Sequence, residues 1–220
     1  MNQMPTRWSY SSLSTYESCP AKWYYGYIVG LTGEPSPAMA RGTRLHADCE
    51  NYVKGDLMVV PYELKKVALR LEDLKQKKAK AEETWLLGRN WEHNEVAPWI
   101  KAIIDVHWLE PDGKVLHIID HKSGREYPEH REQLELYALI GLCRFPEVKR
   151  AEYEALYLDT GHTSNAGAIL RGDVMNSRVQ SWNDRAIRIF EDQKYLPRPG
   201  GACRWCDYSA KKGGPCEAGV

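Results

Sequence analysis

The segment Ile118-Ile119-Asp120-His121-Lys122-Ser123-Gly124 carries the residues best suited to chemistry. Read as a β-strand it alternates, so Asp120 and Lys122 share one face while Val115, His117, Ile119 and His121 take the other. A carboxylate and an ammonium then stand side by side at the rim of a sheet, just before a Ser-Gly turn. Asp105 comes from the preceding strand of the same hairpin, and strand pairing can bring its carboxylate to the same end. Two carboxylates can hold Mg²⁺ or Mn²⁺, which prefer oxygen ligands and keep several waters. Such a metal acidifies a bound water and stabilises charge on a phosphate, and a lysine beside it orients that water or neutralises the charge. The plainer reading of any one Asp-x-Lys triplet is a surface ion pair on a hairpin. These residues alone leave both readings open.

The elements that must position them follow from hydrophobic periodicity and turn chemistry. Ser9 to Gly30 reads as a helix through the aromatic run Trp23-Tyr24-Tyr25, and Gly30 to Pro37 as a loop. Ala40 to Lys54 is helical, with His46 and Glu50 on one face. Glu63 to Ala81 places Leu64, Val67, Leu71 and Leu74 at helical spacing among Lys and Glu, the pattern of an amphipathic helix whose lysines form a solvated face. Trp99 to Trp108 and Val115 to Lys122 alternate on either side of Pro111-Asp112-Gly113-Lys114, which predicts a β-hairpin. A helix over about Glu129–Leu142, a strand over Glu152–Leu158, a short strand at Ala168–Arg171 and a long helix from about Asn176 to Tyr195 follow. The expected class is α/β (α+β), a central sheet flanked by helices. No internal repeat interrupts the chain. We expect one domain over 1–220, in which 1–30 and 197–220 form a cysteine-bearing cap around a core of 40–195.

Composition narrows the field further. The 220 residues carry 30 basic and 30 acidic side chains, which argues against a uniform cationic coat on nucleic acid but allows a local basic groove. Arg41 and Arg44, Arg125 and Arg131, and Arg185 and Arg188 are the clusters such a groove could use. No run of 18 apolar residues spans a membrane, and the N-terminus lacks the apolar stretch of a secretory signal. The expected location is the cytoplasm (the host's, if the chain is virus-encoded), with the six cysteines as thiols or metal ligands. Only two Phe accompany eight Trp and thirteen Tyr. Amphipathic rings serve either to stack on unpaired bases, with Trp8 and Trp23 as candidates, or to pack a half-wet core boundary.

Asp105, followed by Asp120-His121-Lys122 after an Ile-Ile run, resembles the PD-(D/E)XK nuclease motif in its RecB-like form. Gly42-Thr43-Arg44-Leu45-His46 is similar to the helical histidine motif of that branch, and Gln133 with Tyr137 matches its Q-x-x-x-Y helix. Ser9 to Tyr16, followed by Cys19-Pro20, resembles the family's opening. The resemblance implies a restriction-endonuclease-like core with a central mixed sheet. It implies Asp105, Asp120 and Lys122 as catalytic residues, and metal held by His46, Asp105, Asp120 and the backbone carbonyl of His121. DNA would be met by Gln133, Tyr137, Arg44 and Arg125. Each residue also has a bland reading: His46 as an ordinary helix histidine, and Gln133 and Tyr137 as a helix face capped on the core. Glu82 or Glu83 supplies a further acid, or both are surface glutamates. Asp120 stands where many members have Glu, which the pattern permits.

Cys203-x2-Cys206-x9-Cys216 lies in a Gly/Pro-rich tail, and with Cys19 it resembles the iron–sulfur subgroup of the same superfamily, the AddB nuclease domain and the CRISPR-associated four-cysteine exonucleases. That likeness implies a structural [4Fe–4S] cluster stapling the two ends of the chain. Four thiolates also suit Zn²⁺. Cys49 and Cys143 read as small buried apolar residues. The function implied is a Mg²⁺- or Mn²⁺-dependent exonuclease acting on linear single- or double-stranded DNA ends. Cleavage would run 5′ to 3′, for recombination or end processing, beside a single-strand annealing or recombination protein. A non-catalytic DNA-end-binding module working through a partner is the rival. An oxidoreductase using the cysteines is a third reading, though no dinucleotide fingerprint accompanies them.

Overall fold

The computed structural model describes residues 4–172 and 174–218. Chain packing divides it into two compact units, 35–175 and 1–34 with 176–220.

The larger unit is built on a five-stranded sheet in the order β1-β2-β3-β4-β5, formed by Lys80–Leu87, Ile100–Leu109, Val115–Lys122, Arg150–Tyr157 and Thr163–Leu170. Only the β3–β4 pair is parallel, so the sheet is mixed. The chain between β3 and β4 supplies the helix such a crossover needs, Glu129–Arg144. The β2–β3 hairpin closes on the expected turn, where Gly113 takes φ +68° and Asp112 Oδ1 accepts the Lys114 amide.

We number the helices of the chain α1 (Tyr10–Ser18), α2 (Pro20–Trp23), α3 (Pro37–Lys54), α4 (Ala68–Gln76), α5 (Glu129–Arg144) and α6 (Val174–Glu191). Helix α3 starts where Ser36 accepts the Met39 amide and Pro37 presets φ, and it stops at Gly55 in the left-handed region. Its apolar stripe, Leu45, Cys49, Tyr52 and Val53, joins Leu71 and Leu74 of α4 in covering Val106 and Ile119 of the sheet. Helix α5 covers the other face, packing Gly141 against Leu116, Ile118 and Trp85. The guanidinium of Arg171 donates to the carbonyls of Leu142, Phe145 and Val148, satisfying the C-terminal end of α5.

The smaller unit is an aromatic cluster. Trp8 stacks on Trp182 with centroids 6.2 Å apart, and Trp23 on Tyr27 and Tyr195 at 5.4 and 5.5 Å. Trp8 and Trp23 are each 1% exposed, so the structure uses as core the two rings that composition offers as base-stacking residues. Tyr16 donates to Asp192, Trp23 to Ser12, and Arg185 makes a two-pronged pair with Glu17. The long opening helix expected over Ser9–Gly30 is in fact two helices, α1 and α2, and a wide turn over Tyr24–Val29.

Strand β1 departs most from the sequence reading, which extends a helix to Ala81. Helix α4 ends earlier because Lys78 adopts φ +53°, letting its amide reach the Lys75 carbonyl and the Ala79 amide reach Leu74. That is a Schellman stop with lysine in the place usually held by glycine. No Gly or Pro marks it.

A methyl group at residue 141 would sit 2.4 Å from Leu116 Cδ2 and 3.3 Å from the Trp85 ring, both fully buried. We expect Gly141→Ala to lower unfolding free energy by about 1–3 kcal/mol despite its better helix propensity. Denaturant titration checks this, and an unchanged midpoint would show that α5 can lift off the sheet at no cost.

Candidate active site

Register places three carboxylates in a row. Ala81 pairs with Val106 and Glu83 with Ile104, so Glu82 lies opposite Asp105. The β2–β3 pairing begins at Val106↔Ile119, and Asp105 and Asp120 are the next residues beyond it, close enough for the charge of Asp105 to act on Asp120. Glu82, Asp105 and Asp120 thus cross three neighbouring strands at one level. Glu82 has φ +51° inside its strand, a left-handed backbone that costs about 1–2 kcal/mol in a residue other than glycine.

His46 reaches this row from α3. Its Nδ1 lies 3.4 Å from Asp105 Oδ2, and one ligand atom each of His46, Glu82 and Asp105 fall within 4.8 Å of one another. The same Asp105 oxygen accepts the His121 amide at 2.7 Å. Of the two glutamates that sequence offers, only Glu82 joins the cluster. Glu83 turns to Trp85 Nε1 at 2.7 Å and to His107.

Asp120 is held differently. Its Oδ2 lies 2.6 Å from Lys122 Nζ, as alternation along β3 requires, a charge-assisted contact in a buried setting. The lysine instead donates to Gln133 Oε1 at 2.7 Å, and Gln133 Nε2 donates to Tyr137 Oη at 2.8 Å. Gln133 and Tyr137 are one turn apart on α5, so the helix face holds the ammonium at the sheet rim. The His121 imidazole is buried and meets the His46 ring edge-on at 5.9 Å.

The electrostatics follow from burial and from like charges at close quarters. Burial, then the charge of Asp105, pushes the Asp120 carboxyl up to about 6 against the opposing pull of Lys122. Burial and Asp105 raise Glu82 as well. For Asp105 burial acts upward too, but the hydrogen bond and charge of His46 and the His121 amide outweigh it and leave its acidity strengthened. His46 shows the mirror image: burial opposes its charge, Asp105 overrides, and its basicity rises. Burial drives the His121 imidazole down to about 4, so it is neutral near pH 7.

The loops around the row are fixed by one residue that sequence reading does not single out. Asp159, after β4, takes the Arg41 guanidinium of α3 at 2.7 Å and the Gly124 amide at 2.9 Å. Gly42 lets α3 approach β3 closely, since a Cβ there would lie 2.9 Å from Ser123 Oγ. Arg44 is spent on Glu63 and Asp48, whereas Arg125 is exposed and forms no ion pair among the described residues.

In the smaller unit Cys19, Cys203, Cys206 and Cys216 line one pocket beside Tyr25 and Arg198. All four are free, half-buried thiols. The Arg198 amide points at Cys19 Sγ and the Gly200 amide at Cys203 Sγ, each at 3.4 Å.

Residues 7–210 match the sequence model of the PD-(D/E)XK nuclease superfamily. The chain belongs to that superfamily. No curated protein sequence matches it. Among solved structures, a protein named SSO0001 is similar with a TM-score of 0.51 at 16% identity, over 100% of this chain and 90% of the other. A Eubacterium rectale protein named as a candidate exonuclease gives a TM-score of 0.54 at 13% identity, over 94% and 87%. At such identities these likenesses speak to the fold, and the five-stranded mixed sheet agrees with them.

A carboxyl whose folded-state acidity is weakened stabilises the fold fully below its unfolded pKa and loses that contribution as pH rises through the folded one. For Asp120 the window runs from the ordinary aspartate value of 3.8 to about 6. We therefore expect Asp120→Asn, in EDTA, to raise the melting temperature by several degrees at about pH 8 and to leave it nearly unchanged at about pH 4. Thermal melts at the two pH values decide it. A variant less stable at the higher pH would show that the Lys122 pair outweighs burial.

Proposed function

We propose that this superfamily member is a metal-dependent DNA nuclease that hydrolyses phosphodiester bonds at linear DNA ends. The observation that carries this is the row Glu82–Asp105–Asp120 with Lys122 held beside it by Gln133. The donor set fits a hard divalent cation: carboxylate oxygens of Glu82 and Asp105 with one imidazole from His46 within 4.8 Å of one another, and the buried carboxylate of Asp120 on the next strand. Mg²⁺ or Mn²⁺ held there supplies a Lewis acid and an acidified water. The protein's own groups do the rest. Lys122 brings a positive charge to the side of Asp120, where it meets charge developing on the phosphate and orients the attacking water. The pair from Gln133 to Tyr137 keeps that ammonium from swinging into solvent, and Arg125 is free for a DNA phosphate. Action at ends accords with the exonuclease name of the E. rectale neighbour, and the RecB-like motifs carry the further reading of 5′ to 3′ cleavage in recombination or end processing beside an annealing protein.

For the cysteine pocket the proposal is a structural [4Fe–4S] cluster on Cys19, Cys203, Cys206 and Cys216. Two backbone amides already aim at the sulfurs, as cluster thiolates require. Free thiols and such a cluster suit a reducing compartment such as the cytoplasm.

End-labelled linear DNA with Mn²⁺ or Mg²⁺ tests the first proposal: the native chain should degrade it, and Lys122→Ala or EDTA should cut the rate at least about 100-fold. The label's position reports polarity. Binding without cleavage under all these conditions would replace the enzyme with a DNA-end-binding module. For the cluster, anaerobically isolated protein should carry about four irons per chain and a broad visible absorbance, both lost in Cys203→Ser. Stoichiometric zinc without colour would overturn it.

A further inference from the structure

Glu82 belongs to two features at once. It is part of the acidic row, and it lines a groove running along the outer edge of β1 between the ends of α3 and α4. The other charged residues of that groove are Lys54, Lys75, Lys78, Lys80 and Glu83. Glu83 is engaged by Trp85, His107 and Arg144, which removes it as a counter-charge. Lys54 pairs with Glu50 on its own helix, and Lys75 lies over the Tyr52 ring at 4.6 Å. Lys78 and Lys80 are exposed and form no ion pair among the described residues. The groove is therefore cationic at one end and meets the acidic row at the other.

The free charge suits a polyanion, since Lys78 and Lys80 lie exposed at the cationic end of the groove and form no ion pair among the described residues. β1 is an edge strand whose C-terminal end is covered by residues 93 and 94, through the Asn94 amide on the Leu86 carbonyl and the Leu87–His93 bridge. Lysines on an edge strand have a rival use, which is to block edge-to-edge aggregation.

We propose that this groove carries one nucleic-acid strand away from the bond being cut, with Lys78 and Lys80 holding its phosphates and Lys75 and Lys54 continuing the track. The inference rests on the nuclease reading and assigns the path of its substrate. The left-handed turn at Lys78 sets the start of this track as well as the end of α4.

The test measures binding of a fluorescent single-stranded oligonucleotide to the full chain carrying Lys122→Ala, across a range of salt. Lys78→Gln with Lys80→Gln should weaken binding about tenfold and make the slope of log K against log salt shallower by about 1.4. Lys65→Gln with Lys149→Gln, which makes the same charge change outside the groove, should alter neither. Equal effects from the two pairs, or none from the first, would overturn the track. Self-association of the Lys78/Lys80 variant with its salt slope intact would assign those lysines to edge protection instead. If the chain bearing native lysines binds no DNA and the unmutated protein cuts none, the nuclease reading fails. Cleavage by the unmutated protein with an unmoved slope leaves that reading standing and sinks only the groove.

Discussion

Three carboxylates on adjacent strands, at one level and largely out of water, repel one another, and the surroundings of the site are organised around that repulsion. Two of the three lose acidity, Asp120 and Glu82, while Asp105 keeps its charge because it has the imidazole and an amide to itself. The division is local. Asp105 is the middle member, and it receives the two strongest partners. Asp120 receives only a lysine that is shared with Gln133, and it is buried. A cation bound among these groups would relieve all three at once, so the same arrangement that weakens the fold strengthens binding. Stability given up at one place and recovered on ligation is a recurrent feature of sites built from buried like charges.

Such a row holds only if the elements around it are stiff. α5 sits flat on the sheet because residue 141 has no side chain, and that closeness puts Gln133 within reach of Lys122. α3 approaches the end of β3 at Gly42, and Asp159 ties it to the loop after the Asp-x-Lys triplet. Tyr137 completes the chain of contacts. Burial raises its pKa, so it stays a neutral phenol and can accept from Gln133 without adding a fourth negative charge. Charged residues near the site serve this scaffolding as much as any substrate, as Arg41 and Arg44 show by their pairing with Asp159, Glu63 and Asp48.

What was legible in the sequence was whatever depends on a short, regular repeat. Alternation on β3 put Asp120 beside Lys122, the i,i+4 rule put Gln133 beside Tyr137, and a Pro-Asp-Gly turn tied β2 to β3. The helix–strand boundary before β1 was not legible, because its stop signal is a lysine in a conformation usually left to glycine. That one misreading hid the strand bearing Glu82, and with it the means of choosing between Glu82 and Glu83. Asp159 was hidden for another reason. Its partners lie on α3 and in the loop after β3, and no local pattern encodes contacts at that separation. The aromatic composition pointed two ways, and burial of Trp8 and Trp23 assigns those rings to packing.

β1 shows why the illegible part matters. Two non-glycine residues with positive φ, Lys78 and Glu82, lie four positions apart around it. Each costs about 1–2 kcal/mol, and folded proteins retain such conformations only where surrounding contacts over-determine them. At Lys78 the return is the pair of Schellman hydrogen bonds that end α4. What the conformation at Glu82 accompanies is a carboxylate beside Asp105 and His46, while the next residue, Glu83, points towards Trp85 and His107. Two consecutive acids thereby enter different environments, one facing the cluster and one locked into the core boundary.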